Sequence, residues 1–200
     1  MTTLLKLIGV YLIVMCSSVY AQSNAEILKQ IKGKSSELKE FRDLLNSPDA
    51  SIRLSAFEAM YKSENQSLRQ LALDEGINSQ DAVLRALAFQ ELMSSLKTLS
   101  MTVNTDGMAP EVKKLVLAEI GDRYTINFLD FTRTGATLNF KTSDNISGYQ
   151  NSNINGLRFN WETNERAGEA TLKAGGLLSG FLRCSRKVKG ISMPVSAILR

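Results

Sequence analysis

Cys184 stands in the stretch FLRCSRKVKG, beside Arg183, Arg186, Lys187 and Lys189. Positive charge near a thiol favours the thiolate, which is the nucleophilic and metal-binding form. The chain contains no histidine, so the commonest general base and the commonest metal ligand are both missing. Alternation with Phe181 and Leu182 leaves the direction of Cys184 open, and a buried, inert strand cysteine is the simpler reading. The four cations suit an acidic glycan, a phospholipid head group or an acidic protein face. A solvated hairpin is the plainer account of them.

Glu162, Glu165 and Glu169 in WETNERAGE are the carboxylates to consider for glycoside hydrolysis, which needs two acids held across a sugar bond. A strand end followed by a polar loop explains them with less. Replacing Glu162 by Gln is the test of that hydrolase reading. Trp161, with Tyr149 and the amide-rich SGYQNSNING that contains it, has the aromatic faces and amides that carbohydrate recognition uses. Trp161 also shares its alternation with Leu157 and Phe159, as a core residue does. Ser94 to Lys97, Arg133-Thr134-Gly135 and Ser143-Asp144-Asn145 echo the S-x-x-K, K-T-G and S-D-N elements of penicillin-binding serine enzymes. Their order is reversed, the second begins with Arg, and another S-x-x-K at Ser36 to Lys39 shows how cheaply helices generate it. That assignment is rejected. No calcium loop of the D-x-D-x-D-G type occurs, and no cofactor is implied. Asn65 and Asn145 begin N-glycosylation triplets.

The elements that must position these residues fall into two halves. From Asn24 to about Leu99 apolar residues recur at helical spacing, beginning with Ile27, Leu28, Ile31, Leu38, Phe41, Leu44 and Leu45, with Gly33 weakening the first segment. Ser47-Pro48-Asp49 supplies a helix start, with the hydroxyl as acceptor, proline in the first turn and the acid near the positive dipole end. Ser79-Gln80-Asp81 starts a later helix, and Gly76 suits a C-terminal cap between them. From about Asp122 the period becomes two: RYTINFLDFT, TLNFK, LRFNWE, EATLKA, LLSGFLRCS and ISMPVSAILR are separated by glycine-marked turns. This predicts a six-stranded antiparallel meander, curled into a small sandwich or partial barrel. Pro194 predicts that the last strand lies at an edge or carries a bulge. Residues 111–120 are compatible with a helix or a first strand.

LNSPDASIRLSAFEAM from Leu45 and INSQDAVLRALAFQEL from Ile77 match at Asn46/Asn78, Ser47/Ser79, Asp49/Asp81, Ala50/Ala82, Arg53/Arg85, Ala56/Ala88 and Phe57/Phe89. With an Asp at the turn and an Arg four residues on, this resembles HEAT-type helical repeats over about residues 40–97, although that family usually runs longer. The resemblance implies that Asp49, Arg53, Asp81 and Arg85 are structural ladder residues locking successive turns. Two units are fewer than such arrays commonly need to bury their faces, so something else must cap them.

The N-terminus MTTLLKLIGVYLIVMCSSVYAQS has the layout of a secretory signal peptide. Cleavage is expected after Ala21, giving a periplasmic or secreted protein without a transmembrane segment. Lipid attachment at Cys16 is the weaker alternative, because Val14-Met15 precede it. Cleavage would leave Cys184 as the lone cysteine, so no internal disulfide is expected. It would lower the +4 net charge by the single charge of Lys6, which is not a nucleic-acid-binding balance. The expected organisation is therefore α+β: signal peptide 1–21, helical repeats 22–100, connector 101–121 and β-rich domain 122–200. The expected role is an exported, non-enzymatic binding or scaffold protein whose partner is another envelope protein, a glycan or a lipid head group. The alternative is a small-molecule or carbohydrate-binding β-domain with the helices as a lid. A β-core filled by Phe128, Phe140, Phe159 and Trp161 would count against that alternative.

Overall fold

The computed structural model describes residues 2–143, 150–163, 165–184, 188 and 190–199, with side chains from residue 24 onward except at 150 and 151. It divides into two compact units, residues 1–44 and 45–200. The first unit is almost entirely helix α1 (Thr2–Leu45), which Gly33 does not interrupt. Among its described side chains Ile27, Leu28, Ile31 and Leu44 are exposed. No helix among the described residues is long and apolar enough to cross a membrane.

The second unit opens with three short helices, α2 (Ala50–Lys62), α3 (Gln66–Asn78) and α4 (Ala82–Ser95). They begin alike. Asp49, Asn65 and Asp81 are the N-caps, their side-chain oxygens accepting from backbone amides of the first turn. Two residues earlier, the hydroxyls of Ser47, Ser63 and Ser79 accept from the N–H of each cap. Arg53, Arg69 and Arg85 then reach back, each donating from Nη1 to the carbonyl of its own serine at 2.6 Å. The serines are acceptors just outside the helix they precede rather than its N-cap, Ser63 and Ser79 being C-caps of the helix before, and Pro48 precedes α2 instead of occupying its first turn. The sequence match at Leu45 and Ile77 thus has a copy between its halves, hidden because Asn65 stands where the others have Asp. Phe57, Leu73 and Phe89 recur at matching positions in the core, as do Ala72 and Ala88. Gly76 lets α3 and α4 approach closely: a Cβ there would stand 2.6 Å from that of Ala88.

Arg53 also bonds Asp81, from Nε at 3.2 Å and from Nη2. It skips the middle turn and ties the start of α2 to the start of α4. Among the described residues Arg85 pairs with no acid as Arg53 does, and its Nε is buried without a hydrogen-bond partner.

A closed antiparallel barrel follows: β1 (Thr98–Val103), β2 (Arg123–Thr134), β3 (Thr137–Ser143), β4 (Gln150–Asn155), β5 (Arg158–Glu162), β6 (Arg166–Leu172), β7 (Leu177–Cys184) and β8 (Ser192–Ile198), in that order around the wall. Helix α5 (Pro110–Glu119) stands between β1 and β2 and decides the choice left open for residues 111–120. The α+β class holds, whereas the six-stranded sandwich or partial barrel does not. The two added strands are β1, lying in a stretch read as helix end and connector, and β4, whose amides read as a loop. β1 pairs with both β2 and β8, so β8 is not an edge. Pro194 sits just beyond the last β1–β8 pair, opposite Phe181 of β7.

Eight strands give an interior just wide enough for side chains to fill. Aromatic rings fill much of it: Phe128 lies 4.8 Å from Phe140 and 6.0 Å from Phe159, and Trp161 lies 5.2 Å from Phe159 and 6.3 Å from Tyr124 between centroids. Arg166 is buried over the Tyr124 ring and donates from Nη2 to the Glu119 carbonyl at the end of α5. At the opposite end the β2–β3 hairpin grips α4. Arg133 donates to Gln90 at 2.9 Å and Glu91 at 2.8 Å, while Gln90 Nε2 donates to the Ala136 carbonyl at 2.9 Å. Glycine at 76 is set by packing, so Gly76→Ala should destabilise the chain in urea by about 1–3 kcal/mol through overpacking, despite alanine's helix preference. The guanidinium of Arg53 holds the Asp81 carboxyl below the usual carboxylate range, outweighing burial, which acts the other way. Such an acid contributes stability above its unfolded pKa of about 3.9 and loses that contribution as pH falls through the lower folded value. Asp81→Asn keeps a competent cap, so its deficit of about 1 kcal/mol in urea titrations at neutral pH should shrink towards zero as pH falls below the lowered folded-state value.

Candidate functional site

Strand alternation sorts the barrel side chains into two sets. In β4, Ser152 and Ile154 are buried while Asn153 and Asn155 face out; in β5, Phe159 and Trp161 are buried between the outer residues Arg158, Asn160 and Glu162. Because adjacent strands pair without a break here, outer residues line up in rows across the wall. One row runs Asn139, Asn153, Asn160, Glu169, Phe181 from β3 to β7. The next runs Glu162, Ala167, Arg183 from β5 to β7. Asn160 Nδ2 donates to Asn153 Oδ1 at 3.2 Å, fixing both amides in the row.

Between these rows lies an open groove of about 350 Å³, lined by Asn153, Asn160, Glu162, Glu169, Phe181 and Arg183, with Trp161, Ala167 and Gly168 along it. Small residues on β6 create the depression between the longer side chains of β5 and β7. A second groove of about 490 Å³ shares Asn153 and Asn160 and continues past Asn155, Arg158 and Thr171. Phe181 is 48% exposed, so an aromatic face stands at the rim. Among the described residues no ion pair joins Arg183 to Glu162 or Glu169.

The residues singled out in the sequence divide accordingly. Arg183 lines the groove. Tyr149, Arg186, Lys187 and Lys189 lie outside the described residues. Trp161 is a correction: it is 3% exposed, its ring stacks inside the barrel, and its Nε1 has no hydrogen-bond partner. The indole therefore offers no face to a surface ligand. Cys184 is a buried thiol, in keeping with the inert reading. Asp49, Arg53, Asp81 and Arg85 cap and tie helices. Glu162 and Glu169 share the groove but are exposed, and a general acid in a glycosidase needs the burial that raises a carboxyl pKa. No group of three or more Cys, Asp or Glu residues suited to a metal ion occurs among the described residues.

Asn160 and Phe181 were not picked out as site residues, whereas Glu169 was weighed only as a catalytic acid and Asn153 only as part of the amide-rich SGYQNSNING. The available signal was the alternation in NSNIN, where apolar Ile154 between two asparagines marks a strand with an amide face. A further polar cluster, Tyr61, Glu91, Arg133 and Gln90, lies where the hairpin meets α4. Burial pushes the Tyr61 phenol up, and the Glu91 charge adds to this; the cluster serves attachment. Comparison with protein-family models finds none that matches the chain, and comparison with curated proteins finds none either.

The Trp161 ring lies where a Gly168 Cβ would stand, so core and groove meet at one residue. Gly168→Ala should cost about 1–3 kcal/mol in chemical denaturation and shift the fluorescence of Trp161, the chain's one tryptophan. An unchanged spectrum with full stability would contradict this packing.

Proposed function

We propose that this chain is an exported, non-enzymatic binding protein of the cell envelope, with residues 1–21 acting as a leader cleaved after Ala21. The HEAT-like helices and the barrel serve as one scaffold that presents the outer barrel wall to its ligand. The observation that carries this reading is the wall itself: a polar groove with an aromatic rim, formed by side chains on paired strands. Sites built on such elements hold their groups more precisely than loops do. The attachment of α4 to the β2–β3 hairpin through Arg133 and Gln90 supports a fixed platform rather than a helical lid. The aromatic filling of the barrel weighs against a ligand in its interior.

The purified chain, immobilised and challenged separately with the protein, glycan and lipid fractions of an envelope extract, should bind one fraction saturably without changing it chemically. Failure to bind all three would overturn the proposal. So would release of cleaved products from the bound fraction, provided the release was abolished by Glu162→Gln.

A further inference from the structure

We infer that the outer wall of β4–β7 is a binding site for an uncharged or N-acetylated oligosaccharide, lying along Asn153 and Asn160 between Glu162, Glu169 and Phe181. The inference rests on the envelope-binding reading and names the ligand class for that groove.

The shape points to a chain-like ligand. Pockets for small ligands commonly run about 300–1,000 Å³, and here two adjoining open grooves share the same pair of asparagines. Repeating units laid across both would meet similar groups in succession. The chemistry points to hydroxyls and amides. Each asparagine offers both donors and an acceptor, and only one donor and one acceptor of the pair are used in the Asn160 to Asn153 bond. Ionised glutamates accept only and arginine donates only, so Glu162, Glu169 and Arg183 can serve O–H and acetamido groups on opposite sides of the groove. Phe181 supplies an apolar face of the kind that packs against the C–H side of a sugar ring.

Charge chooses among glycans. In the first groove two carboxylates face one guanidinium, so a uronic-acid unit seated there meets net repulsion and a neutral unit does not, while Arg158 is the one charged side chain lining the second. A protein ligand fits less well. Closure of the barrel removes the strand edge that a peptide would extend, and one exposed aromatic on a polar wall lacks the desolvated apolar centre of a protein interface.

Calorimetric titration of the purified chain with three probes tests this: a β-1,4-linked N-acetylhexosamine tetrasaccharide, a neutral β-1,4-glucan tetrasaccharide and a uronate tetrasaccharide. At least one of the first two should bind, with the uronate about tenfold weaker or absent. Asn160→Ala and Phe181→Ala should each weaken binding by about 2–10-fold, with an unchanged thermal midpoint showing that the barrel is intact. Lack of binding to all three probes, preference for the uronate, or indifference to both substitutions would overturn the inference. If an envelope protein or lipid fraction still bound saturably, the wider reading would stand while the glycan site fell.

Discussion

A short seam holds the barrel shut. β1 meets β8 through only two paired positions, Thr102 with Ser196 and Val103 with Val195, and the Asn104 amide adds a bond to the Pro194 carbonyl at 2.8 Å. Without it, β1 and β8 would be the free edges of a long twisted sheet, open to pairing with other chains. With it, inward residues see only one another and outward residues form rows that curve around a fixed wall. Proline is tolerated beside this seam because pairing to β1 has already ended there, a position the sequence had suggested for an edge strand.

Core and surface are coupled most tightly on β6. Gly168 gives up its side chain to the Trp161 ring, and Ala167 beside it leaves the outer wall low. The same thin stretch of strand lets a large indole fill the interior and leaves room outside between Glu162 and Arg183. One constraint, little side-chain volume at two consecutive positions, thus shapes both faces of the sheet. At the other end of the barrel, Arg133 joins a hairpin to a helix through Gln90 and Glu91, giving the short helical array a neighbour where a longer array would supply another repeat.

Much of this was legible in the sequence where pattern and burial agree. Helical spacing identified the three short helices, and alternation found the six strands with strongly apolar inner faces. β4 escaped because its inner face, among the described side chains, holds Ser152 and Ile154, with Ser152 and Thr142 sharing a buried hydrogen bond at 2.8 Å in place of apolar contact. β1 escaped because TLSMTV follows a helix without a glycine or proline to mark the change. Closure was unreadable for a general reason: it depends on pairing between residues far apart in the chain, which local periodicity does not carry. The outer groove was hidden for the same reason, since Asn153, Glu169 and Phe181 become neighbours only through strand register.

The helices keep two counts at once. The serine-to-cap bond recurs at every turn, accepted by Ser47, Ser63 and Ser79, whereas among the described residues the Arg53 to Asp81 tie occurs once and spans two turns. The tie asks for an acid at 81, where the carboxylate both caps α4 and answers Arg53, while the cap alone is made by Asp at 49 and by Asn at 65. Arg85, at the position matching Arg53, keeps the bond to its serine carbonyl but has its Nε without a hydrogen-bond partner. The helical array thus ends on an arginine that reaches only its own serine, whereas Arg53 at the matching position also reaches two turns ahead.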